Sequence, residues 1–100
     1  MIVITQHKDG LSVMGHAHYA EIGKDIVCAA VSTLVQTLIY SIEELTADEI
    51  KYVSKPGTVL IEHGNLSTNA QLLIDSFFVG ISMIADNYPE YVRVDRALMS

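Results

Sequence analysis

One hundred residues, half of them hydrophobic and 18% charged, suit one folded domain with its own core and exclude a disordered chain. The net charge of −6, with only 6 Lys and Arg and those dispersed, leaves no basic patch and argues against a nucleic-acid partner. A core this small makes a second copy of the chain an expected partner, and the single cysteine excludes an internal disulfide and suits a reducing, cytoplasmic setting.

In chain order, "MIVITQH" at 1–7 is short, β-branched and read as a strand. It carries neither a charged n-region nor a long apolar h-region, so no signal peptide is expected. "KDG" is a turn signal, and "LSVMGHA" at 11–17 is the returning strand of a hairpin. Residues 18–24 show no period and are read as a loop. Asp25 then makes a good N-cap for a long helix, "IVCAAVSTLVQTLIYSIEEL". From Ile26 to Ile42 that helix has no charge, but it includes Ser32, Thr33, Gln36, Thr37, Tyr40 and Ser41 and is short for a bilayer. It is expected to be buried in protein, not lipid, and no membrane partner is expected.

A second hairpin follows, with Ile50, Tyr52 and Ser54 alternating against Lys51 and Val53. Pro56-Gly57 is its tight turn and "TVLIEHG" its return. Ser67 or Thr68 caps a second helix that runs to about Asn87, where Pro89 stops it, and "EYVRVD" is a short edge strand or tail. The order ββαββα predicts a single α+β domain over 1–100, an antiparallel sheet of two hairpins with two helices packed on one face. Leu72, Leu73, Phe77, Phe78, Ile81 and Ile84 give the second helix more than one apolar stripe, as if the sheet covered one side and a second copy the other.

The chemistry gathers around Cys28, the third residue of the first helix if Asp25 is its cap. Unpaired N–H groups at a helix start favour a thiolate, the nucleophilic form, while a carboxylate such as Asp25 works against it. His16 and His18, at the end of the second strand, fall on one side by alternation and are the local candidates for a histidinium beside the sulfur. Cys with His is the minimum set for acyl transfer from a peptide bond, and Ser32 shares the helical face of Cys28. Two other readings fit the same residues: a small buried structural cysteine, and a zinc set of His16, His18 and Cys28. His7 and His63 read as surface residues, and the tyrosines as amphipathic surface or interface groups apart from Tyr19 in the suspect loop. The carboxylates of "IEEL" and "TADE" read as solvated helix ends and turns.

"GHA" at 15–17, "EIG" at 21–23 and "DIVCAAVS" at 25–32, in that order and spacing, resemble the core motif of the ribosomal-processing cysteine protease family, Prp. The motif occupies less than a fifth of the chain. The resemblance implies that Cys28 is the nucleophile and His16, by its place in Gly-His-Ala, the general base. Asp25 and Ser32 take supporting roles. Gly15, Ala17, His18, Tyr19, Glu21 and Gly23 belong to a mobile segment shaping the substrate cleft, with Gly15 and Gly23 as hinges. His18 departs from the family pattern, which favours His16 as base and weighs against zinc; no metal or cofactor is implied. Members of the family dimerise. They remove a short Phe-rich N-terminal extension from a large-subunit ribosomal protein, cutting after an aromatic pair, and related members trim phage capsid or scaffold proteins. A non-enzymatic dimer presenting an acidic face to a basic, ribosome-associated partner is the competing expectation.

Overall fold

The computed structural model describes residues 1–21 and 24–96. The elements are β1 (Ile2–His7), β2 (Gly10–Met14), α1 (Ile26–Leu45), β3 (Ile50–Lys55), β4 (Thr58–His63), α2 (Thr68–Asn87) and β5 (Val92–Asp95). Both hairpins, both helices and the α1 bounds stand where the residue patterns put them.

Side-chain alternation explains how the sheet acquires a buried face. Ile4 lies opposite Val13 across β1 and β2, and Leu11 opposite Ile61 across β2 and β4. Ile2, Ile4, Leu11, Val13, Ile61 and Val92 are all buried on this face, in one cluster with the helices. α1 meets it with Val27, Val31, Val35, Leu38, Ile39 and Ile42, and α2 with Ile74, Phe77, Phe78 and Ile81, both at helical spacing. Each such fully buried side chain contributes about 1.5–3 kcal/mol. By length and composition both 20-residue helices are apolar enough to cross a membrane. Here each delivers its buried stripe to one shared core with the sheet.

Two expectations are corrected. The sheet is mixed rather than antiparallel: its order is β3-β4-β2-β1-β5, and β5 runs parallel to β1. The chain returns from α2 along the helix layer, so "EYVRVD" reaches the free edge of β1 in the same direction as β1. β2 also ends at Met14, not at residue 17. Gly15 takes a φ of 98° and turns the backbone out of the strand, a conformation open to glycine without steric cost. His16 and His18 therefore belong to the β2–α1 connection, and strand alternation does not govern them.

Helix ends are satisfied locally. The Ser67 hydroxyl accepts from Ala70 N at 3.1 Å, which makes Ser67 the α2 cap. Asp48 Oδ2 accepts from Ser67 N at 2.8 Å, so the "TADE" segment does more than solvate a turn: it ties the α1–β3 connection to the start of α2. The Ser67 hydroxyl and N–H hold the Asp48 carboxyl below the usual carboxylate range.

Candidate active site

Cys28 is partly buried, in the first turn of α1. Asp25 Oδ1 accepts its backbone N–H at 2.9 Å. Asp25 Oδ2 accepts from Tyr19 N at 3.0 Å and from Ala20 N at 3.4 Å. One carboxylate thus fastens the β2–α1 connection to the turn that carries the thiol. These N–H donors, that of Cys28 foremost, hold the Asp25 carboxyl below its ordinary range against an opposing desolvation. Its hydrogen bonds go to these backbone groups and not to His16.

His16 approaches from the other wall. Its carbonyl accepts from the Met1 amino group at 2.6 Å, and the preceding Gly15 N–H donates to Gly57 O at 2.9 Å. Its imidazole packs against the β3–β4 turn: a Cβ placed on Gly57 would lie 2.8 Å from His16 Nε2. The His18 ring is 5.8 Å away, centroid to centroid. Among the described residues, no group hydrogen-bonds the His16 imidazole.

His16 and Cys28 line the same cleft, of about 510 Å³. Val13, Val31, Val35 and Val59 supply its apolar lining, and Ser32, Gln36 and Ser54 through Thr58 its remaining wall. Ser32 sits one turn beyond Cys28 and is exposed to the cleft. Gly15 lines it as well, whereas Ala17 is buried in the core beneath. His18, at a φ of 56°, is exposed, as is Glu21, whose carbonyl accepts from Lys24 N at 2.9 Å. Tyr19 stands edge-on to Tyr88 at 5.6 Å and Tyr91 at 5.2 Å. Those two tyrosines are half-buried against the core. Gly23 lies outside the described residues.

Residue patterns had no means of finding the β3–β4 turn in this cleft. Pro56-Gly57 announces a turn, but only the pairing of β2 with β4, Met14 opposite Thr58, carries it to His16. Among the described residues, no three His, Cys, Asp or Glu side chains are grouped to hold a metal ion, so a zinc set of His16, His18 and Cys28 has no support in the geometry.

The model of the family described as cysteine protease Prp matches residues 1–93. A ribosomal processing cysteine protease Prp from Staphylococcus aureus is 31% identical over 84 residues, covering 81% of this chain and 79% of its own. One from Mycoplasma genitalium is 30% identical over 97 residues, covering 95% of each. The crystal structure of an essential ribosomal processing protease Prp from S. aureus, in complex with a covalently linked product peptide, superposes with a TM-score of 0.87 at 25% identity, over 95% of this chain and 96% of that one.

Proposed function

From a chain that belongs to the cysteine protease Prp family, we propose an endopeptidase that removes a Phe-rich N-terminal extension from a large-subunit ribosomal protein, with Cys28 as nucleophile and His16 as general base. The observation that carries this reading is the shared cleft: a thiol on the first turn of a helix and an imidazole from the facing connection line one 510 Å³ space. Relatives named for ribosomal processing, one of them crystallised with a covalently linked product peptide, support the substrate class.

The chemistry is acyl transfer. His16 takes the proton from Sγ, and sulfur attacks the scissile carbonyl carbon. The positive end of α1, whose first turn carries Cys28, stabilises the developing oxyanion. The tetrahedral intermediate collapses with the C–N bond broken and the His16 proton passed to the leaving amine. Water, deprotonated by His16, then attacks the thioester and releases the acid and the thiolate. Asp25 supports the site by joining the connection to the helix start, and the Ser32 hydroxyl supports it from the next turn. The apolar lining of Val13, Val31, Val35 and Val59 suits aromatic side chains of the substrate. Gly15 acts as a hinge of the β2–α1 connection, and Tyr19 is its anchor.

The enzyme works as a cytoplasmic homodimer in this reading. Leu72, Val79 and Met83 are 66%, 73% and 62% exposed along the outer side of α2, a stripe that a second copy would cover.

Intact-mass analysis of a peptide carrying the Phe-rich extension tests the function. Wild type should make a single cut, absent with Cys28→Ala and with His16→Ala. A cut that persists in Cys28→Ala overturns the assignment of the nucleophile. An intact peptide with folded wild type overturns the substrate.

A further inference from the structure

We propose that Gly57 is the positioning residue for His16: the bare backbone of the β3–β4 turn is the surface that sets where the general base stands. The inference rests on the reading of His16 above and adds a residue from a hairpin that carries none of the reacting groups.

Three observations support it. A Cβ on Gly57 would come within 2.8 Å of Nε2 of the His16 ring, closer than a Cβ approaches a neighbouring atom, and would meet Cε1 at 3.4 Å and Cδ2 at 3.5 Å in van der Waals contact. The absence of a side chain at 57 is thus what admits the ring to its place. Next, the same residue accepts the Gly15 N–H at 2.9 Å, so the backbone just before His16 is hung from the turn that supports its ring. Finally, hydrogen bonds do not orient the imidazole, among the described residues, and that leaves packing to do so.

The turn is suited to the task. Gly57 has a φ of 75°, in the left-handed region, and Pro56 before it restricts its own φ. β3 and β4 are paired along their whole length, from Ile50 with His63 to Lys55 with Thr58, so the turn is held on a rigid hairpin. Cys28 stands on α1, which packs on the same sheet. The separation of base and nucleophile is therefore set by sheet-to-helix packing, with Gly57 as the point of contact. The atoms that a new Cβ would meet are the far end of a side chain, free to swing away. The damage from a substitution should fall on the position of the ring more than on the fold, and a displacement of about 1 Å can cost about 100-fold in rate.

Gly57→Asn is the decisive variant, because Asn tolerates positive φ and so keeps the turn while adding the Cβ. Gly57→Ala is its companion. Each is made in wild type and in His16→Ala, and two rates are measured from pH 5 to 9: cleavage of the Phe-rich peptide and alkylation of Cys28 by iodoacetamide. Expected is a loss of about 100-fold in kcat for Gly57→Asn with KM within about threefold. Its alkylation profile should move toward that of the His16→Ala protein, with Tm lowered by about 5 °C or less. In the His16→Ala background, where only alkylation is readable, the added Gly57 substitution should change the alkylation rate less than about twofold, the non-additivity expected of one residue acting through another.

Equal fold-losses in both backgrounds, or wild-type rates in Gly57→Asn, overturn the proposal. Wild-type alkylation that is indifferent to His16→Ala overturns the reading of His16 instead, which separates the two failures. The contact is also measurable without substitution, as a nuclear Overhauser effect between the Gly57 Hα protons and the His16 ring protons. A folded wild type lacking it overturns the proposal even if both variants unfold.

Discussion

Asp25 Oδ1 receives the N–H of Cys28 at 2.9 Å while Oδ2 receives that of Tyr19 at 3.0 Å, so a single carboxylate joins the backbone of Cys28 to the β2–α1 connection. Both oxygens act as acceptors, and this separates two substitutions that look alike. Asp25→Asn keeps an acceptor for the helix cap but turns an amide N–H toward Tyr19 and Ala20, where an acceptor is needed. Turnover should fall about tenfold with Tm within a few degrees of wild type, as for the loss of one hydrogen bond. Removing the negative charge should at the same time raise the rate of Cys28 alkylation near neutral pH. Unchanged turnover would show that Asp25 only caps the helix.

The acid limb of stability follows from the same group and from Asp48. Both carboxyls are held below their ordinary range by N–H and hydroxyl donors, so both folded-state values lie below the unfolded ones. Their contribution is fully present above the unfolded carboxylate value, near 4, and is lost as pH falls through the lower folded values. Thermal melts between pH 6 and 2 should show Tm falling below about pH 4. Asp25→Asn and Asp48→Asn should each flatten that fall. A slope identical to wild type in both variants would assign acid unfolding to other groups.

Ser32 is exposed to the cleft one helical turn from the sulfur. Ser32→Ala should lower kcat/KM about tenfold, the worth of one hydrogen bond at the reacting centre, and leave Tm within about 2 °C. Steady-state kinetics on the Phe-rich peptide measure it, and a kcat/KM within twofold of wild type would remove Ser32 from the site.

A part-buried polar contact outside the cleft gives a test of the fold itself. Arg96 Nε donates to Gln6 Oε1 at 2.6 Å, and its guanidinium lies 4.4 Å from the Phe78 ring centroid. Gln6 is 5% exposed, so Arg96→Ala strands its amide in the core, at a cost of about 2 kcal/mol in urea unfolding. Adding Gln6→Leu should return most of the loss, since the unmatched polar group is then gone. No recovery in the double variant would assign the cost to the lost contact with Phe78.

Tyr19 stands against Tyr88 and Tyr91 on the far side of the same connection. Tyr19→Ala should cost about 1 kcal/mol and expose residues 18–21 to limited proteolysis before the rest of the chain unfolds. Equal cleavage rates in wild type and variant would show that the ring contacts do not hold the segment.

How much was legible depended on how local each determinant is. Asp25 as cap, Cys28 on the first turn and the Pro56-Gly57 turn are each written within four or five residues, and each stands where expected. The α2 cap at Ser67 and its end before Pro89 were legible for the same reason. The parallel β1–β5 pair was not, because strand direction depends on the path of α2 across the sheet. The early end of β2 turns on a positive φ at Gly15, and glycine permits such a value without announcing it. The third wall of the cleft depends on β2 pairing with β4, a register between distant segments that no local pattern encodes.

The parallel seam of β5 on β1 bears on how the chain is made. Ile2 pairs opposite Val92, so the outer edge of β1 stays open until β5 has emerged. The first hairpin, α1 and the second hairpin can assemble the cleft before that, but with a free backbone edge exposed during synthesis. The four residues Val92–Asp95 then act as a seal. Until they dock, a nascent copy presents an edge on which another copy's strand could add, so their late arrival prolongs the interval in which strand exchange between chains competes with pairing within the chain.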